Sequence, residues 1–150
     1  MPRPWRSSCE HPCGGLRPGD FYQTPEISVT LALLEIVDNP RQDVPLISVL
    51  RSPLFGFSAD RLASIRAAAP SGDFYTALKA DGGEDARAFL AQLEELRQGA
   101  QDMSVHRLVW HIYNRLNVLG VFGAMDDGAA RRENLIALSQ HAEKFESSGY

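Results

Sequence analysis

The stretch "TPEISVTLALLEIVDNPRQDVPLISVLRSPLFGFSADRLASIR", Thr24 to Arg66, decides the fold class of this chain. Thr24 is a favourable helix N-cap, and Pro25 suits the first helical position. Apolar residues then recur at helical spacing until "DNP", residues 38–40, ends the helix. A second helix follows, and a third begins after the cap residue Ser58. The stretch therefore predicts three consecutive helices, of which the last two are joined by a tight turn through Gly56.

The remainder of the chain keeps the helical pattern. Apolar residues at intervals of three and four predict further helices over roughly 74–80, 84–101, 105–116 and 129–146. Strand-like alternation is absent after Gly15. The predicted fold is all-α: a compact bundle of about six or seven helices with short connections and a helix-hairpin-helix-like corner at Gly56.

The first 18 residues are of a different kind, because they are rich in Pro, Gly, Arg and Ser and show no sustained period. We predict a flexible or disordered arm over 1–18, with a short extended piece near 15–20, and a helical domain over 19–150. The arm carries Cys9, His11 and Cys13. This Cys-x-His-x-Cys spacing has no fourth local ligand, so incidental thiols are favoured over a zinc site.

The composition limits the classes of function. The chain has 150 residues, 44% of them apolar and 23% charged, and its formal net charge is −4. These values are typical of a soluble globular domain and argue against a protein that coats nucleic acid indiscriminately. No apolar run approaches the roughly 20 residues of a membrane span, and we find no secretion signal. We therefore predict a cytoplasmic protein without a membrane partner.

Motifs for catalysis and cofactor binding are missing from the sequence. It contains no Gly-Lys pair, and hence no phosphate loop for ATP, and neither His-Glu-x-x-His nor Gly-x-Ser-x-Gly occurs. His106, His111 and His141 lie in predicted helices, where partly exposed side chains are a better interpretation than metal ligands. The sequence therefore predicts no catalytic residue, no cofactor and no metal in this chain, and an independent enzyme is disfavoured.

Positive charge is concentrated at the corner. Arg51, Arg61 and Arg66 stand there against Asp60, whereas residues 81–102 carry six acids against two arginines. The N–H groups at the start of a helix lack helical partners and lie at the positive end of the helix dipole. The corner is therefore predicted to form an anion socket, flanked by Arg51 and Arg61 and suited to the phosphates of a duplex backbone.

A structural interpretation of the same residues stays open. Phe55 and Phe57 would then pack in the core, and Gly56 would serve the turn alone. The arginines would form an ordinary solvated face.

A series of short motifs runs through residues 19–150. They are Phe21-Tyr22, Asp38-Asn39-Pro40, Gln42-Asp43, Pro45-Leu46, Leu50 to Pro53, Gly56, "RRENLIAL" at 131–138 and "FESSGY" at 145–150. In order and spacing they resemble the 2B subdomain of UvrD-type superfamily I DNA helicases, most closely that of the AddA helicase–nuclease branch.

The resemblance implies a subdomain inserted in the second RecA-like motor domain of a longer protein. In such enzymes the motor hydrolyses ATP with Mg²⁺ to step along single-stranded DNA, while this helical module contacts the duplex ahead. AddA-type enzymes add a nuclease and pair with an AddB-type second subunit to process double-strand breaks for recombination. The present chain contains neither motor nor nuclease motifs, so we expect a fragment that does not hydrolyse ATP or unwind DNA by itself.

The resemblance also implies which residues contact DNA. The glycine corner of related helicases touches the duplex backbone, and this role carries over to Arg51, Gly56, Phe57, Ser58 and Arg61. Phe57 departs from the pattern, because a small apolar residue is more usual at that position.

An alternative of another class is a helical protein-interaction module without nucleic-acid binding. The segment "VHRLVWHIYNRLNVLG", residues 105–120, would then form a docking face with Trp110 or Tyr113 as its anchor. Core packing is the competing interpretation for most of this apolar stripe.

Overall fold

The computed structural model describes residues 18–147 of the chain. Within that part the chain forms nine helices and no strand. The all-α prediction is confirmed. The helices are α1 (Pro18–Gln23), α2 (Pro25–Asp38), α3 (Asp43–Arg51), α4 (Ala59–Ala68), α5 (Phe74–Asp81), α6 (Glu84–Ala100), α7 (Val105–Leu116), α8 (Val118–Gly123) and α9 (Gly128–Ser147).

Side-chain caps account for the starts of three helices. The hydroxyl of Ser58 accepts a hydrogen bond from the main-chain N–H of Arg61 at the start of α4. Asp73 caps α5 in the same way, and Ser104 caps α7. Each cap satisfies one of the N–H groups that a helix leaves without a partner, and Ser58 was expected to do so from the sequence.

Two helices were not predicted. α1 begins at Pro18, so the extended piece expected near 15–20 is wrong from that residue onward, while the rest of the predicted arm, 1–17, lies outside the described residues. α8 follows directly on α7, from which it is separated by the left-handed conformation of Asn117, with φ of 53°. Two glycines in "VLGVFG" hide its helical character in the sequence, and the burial of Val118 and Phe122 compensates for them.

The core is built around α2. This helix packs against α1, α3, α6 and α9, and its residues Ile27 and Ile36 are fully buried. The helices α3–α5 lie toward one end of the bundle and α7–α9 toward the other. On the second side Tyr113 is buried, and its hydroxyl donates a 2.7 Å hydrogen bond to the carbonyl oxygen of Leu135. Burial raises the pKa of Tyr113. Tyr113 is therefore a core residue and not the anchor of a docking face.

A buried carboxylate joins α2 to α9. Glu26 is only 1% exposed, and its two oxygens accept hydrogen bonds of 2.8 Å from Arg131 and Asn134. Arg131 and Asn134 belong to the "RRENLIAL" motif and are three residues apart, so they lie on one face of α9. The motif thus has a structural role in this chain, because it neutralises a charge inside the bundle.

No helix within residues 18–147 is both long and apolar enough to cross a lipid bilayer.

Candidate nucleic-acid interface

The main chain closes the corner between α3 and α4 tightly. The N–H of Phe57 donates to the carbonyl oxygen of Leu50 at 2.9 Å, which ties the two helix ends together. Within the loop that this hydrogen bond closes, the carbonyl oxygen of Ser52 accepts hydrogen bonds from the N–H groups of Phe55 and Gly56 at 3.1 and 2.8 Å. The predicted helix-hairpin-helix-like corner is therefore present, and three main-chain hydrogen bonds close it.

Gly56 stands on the open side of the corner. Its φ is +69°, a left-handed conformation that disfavours residues with a side chain. Gly56 is exposed, and a Cβ atom added to it would meet no heavy atom within 4 Å. Gly56 thus allows the left-handed conformation that the turn requires, and no atom of residues 18–147 covers the surface beside it.

The first turn of α4 continues this open surface. Ser58, Ala59 and Asp60 are all exposed. The Ser58 hydroxyl already binds the N–H of Arg61, so the N–H groups of Ala59 and Asp60 are the ones left at the positive end of the helix. The carboxylate of Asp60 lies in the same turn and opposes an incoming anion.

The aromatic residues of the corner point inward. Phe57 is only 7% exposed and belongs to the core, while Phe55 is half-buried with its ring edge-on to Phe89 at 4.8 Å between centroids. The core-packing interpretation is therefore correct for the Phe57 ring. Any contact of residue 57 with DNA has to come from its main chain, whose N–H is already bound to Leu50.

The two arginines of the predicted socket differ in availability. Arg51 ends α3, is exposed, and makes no side-chain hydrogen bond or ion pair within residues 18–147. Arg61 instead binds two carboxylates. It donates to both oxygens of Asp85 at 2.9 and 2.8 Å and to both oxygens of Asp81, one at 3.2 Å and one closer. No local feature of the sequence indicates this pairing.

The Arg61 contacts link three helices electrostatically. The hydrogen bonds that Arg61 donates to Asp85 and Asp81 raise the pKa of Arg61 and lower the pKa of both carboxyls. Because α4, α5 and α6 each supply one partner, the cluster fixes the start of α4 beside the end of α5. We call these three residues the Arg61 clamp.

The electrostatics of the folded corner differ from those of its sequence. In the folded chain Arg51, Arg61 and Arg66 stand against four carboxylates, a formal charge of −1; these are Asp60, Asp81 and Asp85 beside Arg61 and Asp43 beside Arg66. Folding thus brings carboxylates from distant positions next to a locally basic stretch. What remains for an anion is the Arg51 guanidinium, the open backbone at Gly56 and the amides of α4.

The carboxylates of this end of the molecule couple its stability to pH. Asp73 accepts hydrogen bonds from the main-chain N–H and the hydroxyl of Thr76, both at 2.8 Å, and from Arg41 at 2.8 Å. These contacts lower the pKa of Asp73 from 3.8 to about 2. The pKa values of Asp81 and Asp85 are lowered as well.

We expect the free energy of unfolding by urea to decrease as the pH falls from about 4 toward 2. A carboxyl whose pKa is lower in the folded state stabilises fully above its unfolded pKa, and the stabilisation is lost as the pH falls through the folded pKa. Asp73→Asn should make the decrease shallower, because Asn also caps helices but does not titrate. Asp102→Asn is the control, because it removes one carboxylate at an exposed position outside these contacts.

Relatives of known name align with most of this chain. The AddA subunit of the ATP-dependent helicase/nuclease from Lactobacillus delbrueckii subsp. bulgaricus is 43% identical over 137 residues, and that from Acetivibrio thermocellus is 42% identical over 137 residues. The protein of the same name from Geobacillus kaustophilus is 40% identical over 142 residues. The chain is homologous to a segment of AddA. The resemblance to the AddA branch is thereby confirmed.

The homology concerns only a small portion of these AddA proteins. Each alignment covers 87% of the present chain but 11% of the relative. No protein-family model matches the chain. The chain therefore corresponds to a small part of a much larger polypeptide in those relatives.

Proposed function

We propose that this chain is a duplex-DNA-contacting accessory subdomain of an ATP-dependent DNA helicase–nuclease that processes double-strand breaks for recombination repair. The observation that carries the proposal is the homology of about 40% identity to AddA proteins, which are named as ATP-dependent helicase/nucleases. ATP and Mg²⁺ would bind to the motor of the parent enzyme, and the nuclease and an AddB-type subunit would be the other partners. The bacterial cytoplasm is the corresponding location.

In this proposal the corner rests on the sugar–phosphate backbone of the duplex. Gly56 leaves the approach open, Arg51 supplies a guanidinium that has no side-chain partner among the described residues, and the first-turn amides beyond Ser58 supply hydrogen-bond donors. Phe57 and Arg61 support the corner without contacting DNA through their side chains. The Phe57 ring packs in the core, and Arg61 binds the carboxylates of the Arg61 clamp. Contacts of this kind position a protein on DNA without reading its sequence.

The charge of the corner implies weak intrinsic affinity. A formal charge of −1 leaves little long-range attraction for DNA, so short-range contacts with Arg51 and the amides have to suffice. In the parent enzyme a motor that grips the single strand would hold the duplex near this module and raise its effective concentration. Binding by the isolated chain should therefore be measured at low salt.

We expect Arg51→Gln to weaken duplex binding about equally on all sequences. The measurement is fluorescence anisotropy of a labelled duplex of mixed sequence while NaCl is raised from about 50 to about 200 mM. Loss of one phosphate contact should reduce the slope of log K against log salt by about 0.9. Arg107→Gln is the matched control, because Arg107 is exposed on α7, on the side of the bundle away from the corner. Equal slopes for wild type and Arg51→Gln would refute the corner contact.

A protein-docking role remains the second candidate function, and one observation favours it. Trp110 is half-buried on α7, where it lines a shallow groove of about 300 Å³ with Met103, His111 and Asn114. Aromatic residues of this kind are frequent anchors of interfaces. Concentration-dependent association of the chain, together with no duplex binding at low salt, would favour docking over DNA contact.

A further inference from the structure

A cluster of two cations and one aromatic ring lies on the surface formed by α5 and the α2–α3 connection. The guanidinium carbon of Arg41 is 5.6 Å from the centroid of the Tyr75 ring, and the ammonium nitrogen of Lys79 is 4.6 Å from the same centroid. Both distances are within the range of cation–π attraction. One half-buried ring thus holds two positive charges close together.

The position of Arg41 is fixed by its surroundings. Its side chain donates to Asp73 at 2.8 Å and to the Thr76 hydroxyl at 3.2 Å, and its main-chain N–H donates to Asn39 at 3.1 Å. More than half of the Arg41 side chain, 55%, nevertheless stays exposed. Two side-chain hydrogen bonds therefore hold the guanidinium in place while more than half of the side chain stays accessible to a ligand.

The connection that carries Arg41 is itself anchored to α5. Asp43 accepts a 2.9 Å hydrogen bond from the main-chain N–H of Phe74, and it also lies 3.7 Å from the guanidinium of Arg66. Gln42 donates to the carbonyl oxygens of Glu35 and Asn39 at 3.2 Å each. The cluster is therefore part of the rigid bundle.

Lys79 has no competing partner in the part of the chain that the structure describes. It is exposed and makes no ion pair or side-chain hydrogen bond within residues 18–147 other than its contact with Tyr75. The two cations stand against the single carboxylate of Asp73, whose oxygens are already bound to Arg41 and Thr76. The cluster thus keeps a formal charge of +1, in contrast to the corner.

The cluster lies at the same end of the bundle as the corner. α5 leads from Tyr75 through Lys79 to Asp81, which binds Arg61 at the start of α4. Six residues of helix correspond to about 9 Å along the axis, and Lys79 is only about 3 Å along it from Asp81. The cluster and the Arg61 clamp therefore lie within about 9 Å of each other along the α5 axis, at one end of the bundle.

We propose that Arg41, Tyr75 and Lys79 form a second contact for the phosphate backbone of duplex DNA, adjoining the corner. This inference rests on the proposed function and adds a distinct set of residues to it. Arg41 and Lys79 bind phosphate oxygens, and Tyr75 is a positioning residue that holds the two cations beside each other. The contact supplies the positive charge that the corner lacks.

The test is duplex binding by the full chain, measured by anisotropy across the same salt range. Lys79→Gln should weaken binding about fivefold to tenfold near 0.1 M salt and reduce the salt slope by about 0.9. Lys79 has no structural partner to lose apart from the Tyr75 ring, so its substitution should leave folding intact, which circular dichroism checks. Arg41→Gln combined with Lys79→Gln should reduce the slope by about twice as much.

The variant Tyr75→Leu tests the positioning role of the Tyr75 ring separately from the charges of Arg41 and Lys79. It leaves every charge in place, so we expect about a twofold to fivefold loss of affinity with an unchanged salt slope. Unchanged binding by both Lys79→Gln and the Arg41→Gln/Lys79→Gln pair would overturn the inference. If Arg51→Gln still weakens binding in that case, the proposed function stands without the second contact. If single-stranded oligonucleotide binding falls while duplex binding does not, the assignment to duplex DNA is wrong.

Discussion

Replacing Arg131 by Met is expected to lower the free energy of unfolding by about 3–5 kcal/mol. Glu26 is 1% exposed, and Arg131 supplies the positive charge that balances it, at 2.8 Å. With Arg131 gone, Asn134 is the one hydrogen-bond donor within residues 18–147 that remains for a carboxylate with almost no exposed surface. The cost therefore arises mainly from the unpaired buried charge. Urea unfolding followed by circular dichroism measures it.

Two controls identify the cause. Arg132→Met removes a neighbouring exposed arginine on α9 and should change stability by less than about 0.5 kcal/mol. The double variant Glu26→Leu/Arg131→Met removes both charges and should recover most of the loss, since a buried ion pair is often replaceable by apolar side chains. A double variant as unstable as Arg131→Met would mean that the charge of Glu26 is not what destabilises the single variant.

The burial and the partners of Glu26 could not be predicted from the sequence. Its position two residues after Thr24 predicts a favourable charge at the start of α2, and α2 indeed begins at Pro25. Its burial depends on the docking of α9, whose contributing residues are more than 100 positions away. Local pattern therefore predicts the helix and its start, whereas the partner of the carboxylate follows only from the tertiary packing.

The corner shows the same division between local and distant effects. Its main-chain geometry was predictable, because Gly56, the cap at Ser58 and the preceding Pro53 act over a few residues. The ion pairs of Arg61 were not predictable, since Asp81 and Asp85 are 20 and 24 residues further along the chain. α1 and α8 were missed for another reason: they are six-residue helices, too short to show a helical period.

Phe57→Ala is expected to lower the free energy of unfolding by about 3–5 kcal/mol. The ring is 7% exposed and packs in the core beneath the corner, so its removal leaves a cavity lined by apolar side chains. Val44→Ala is the control for loss of apolar atoms at the surface: Val44 is 78% exposed, and the change should cost less than about 0.5 kcal/mol. Urea unfolding at neutral pH measures both variants.

Phe57→Leu then decides whether the aromatic ring itself contacts DNA. Leu keeps an apolar side chain in the core, so this variant should lose only about 1–2 kcal/mol and remain folded. Because the ring is inside and the N–H of residue 57 still binds Leu50, we expect duplex affinity and salt slope equal to those of the wild type. Weaker duplex binding by folded Phe57→Leu would mean that the ring turns outward on DNA. In that case the corner opens when it binds, and Phe57 contacts DNA directly.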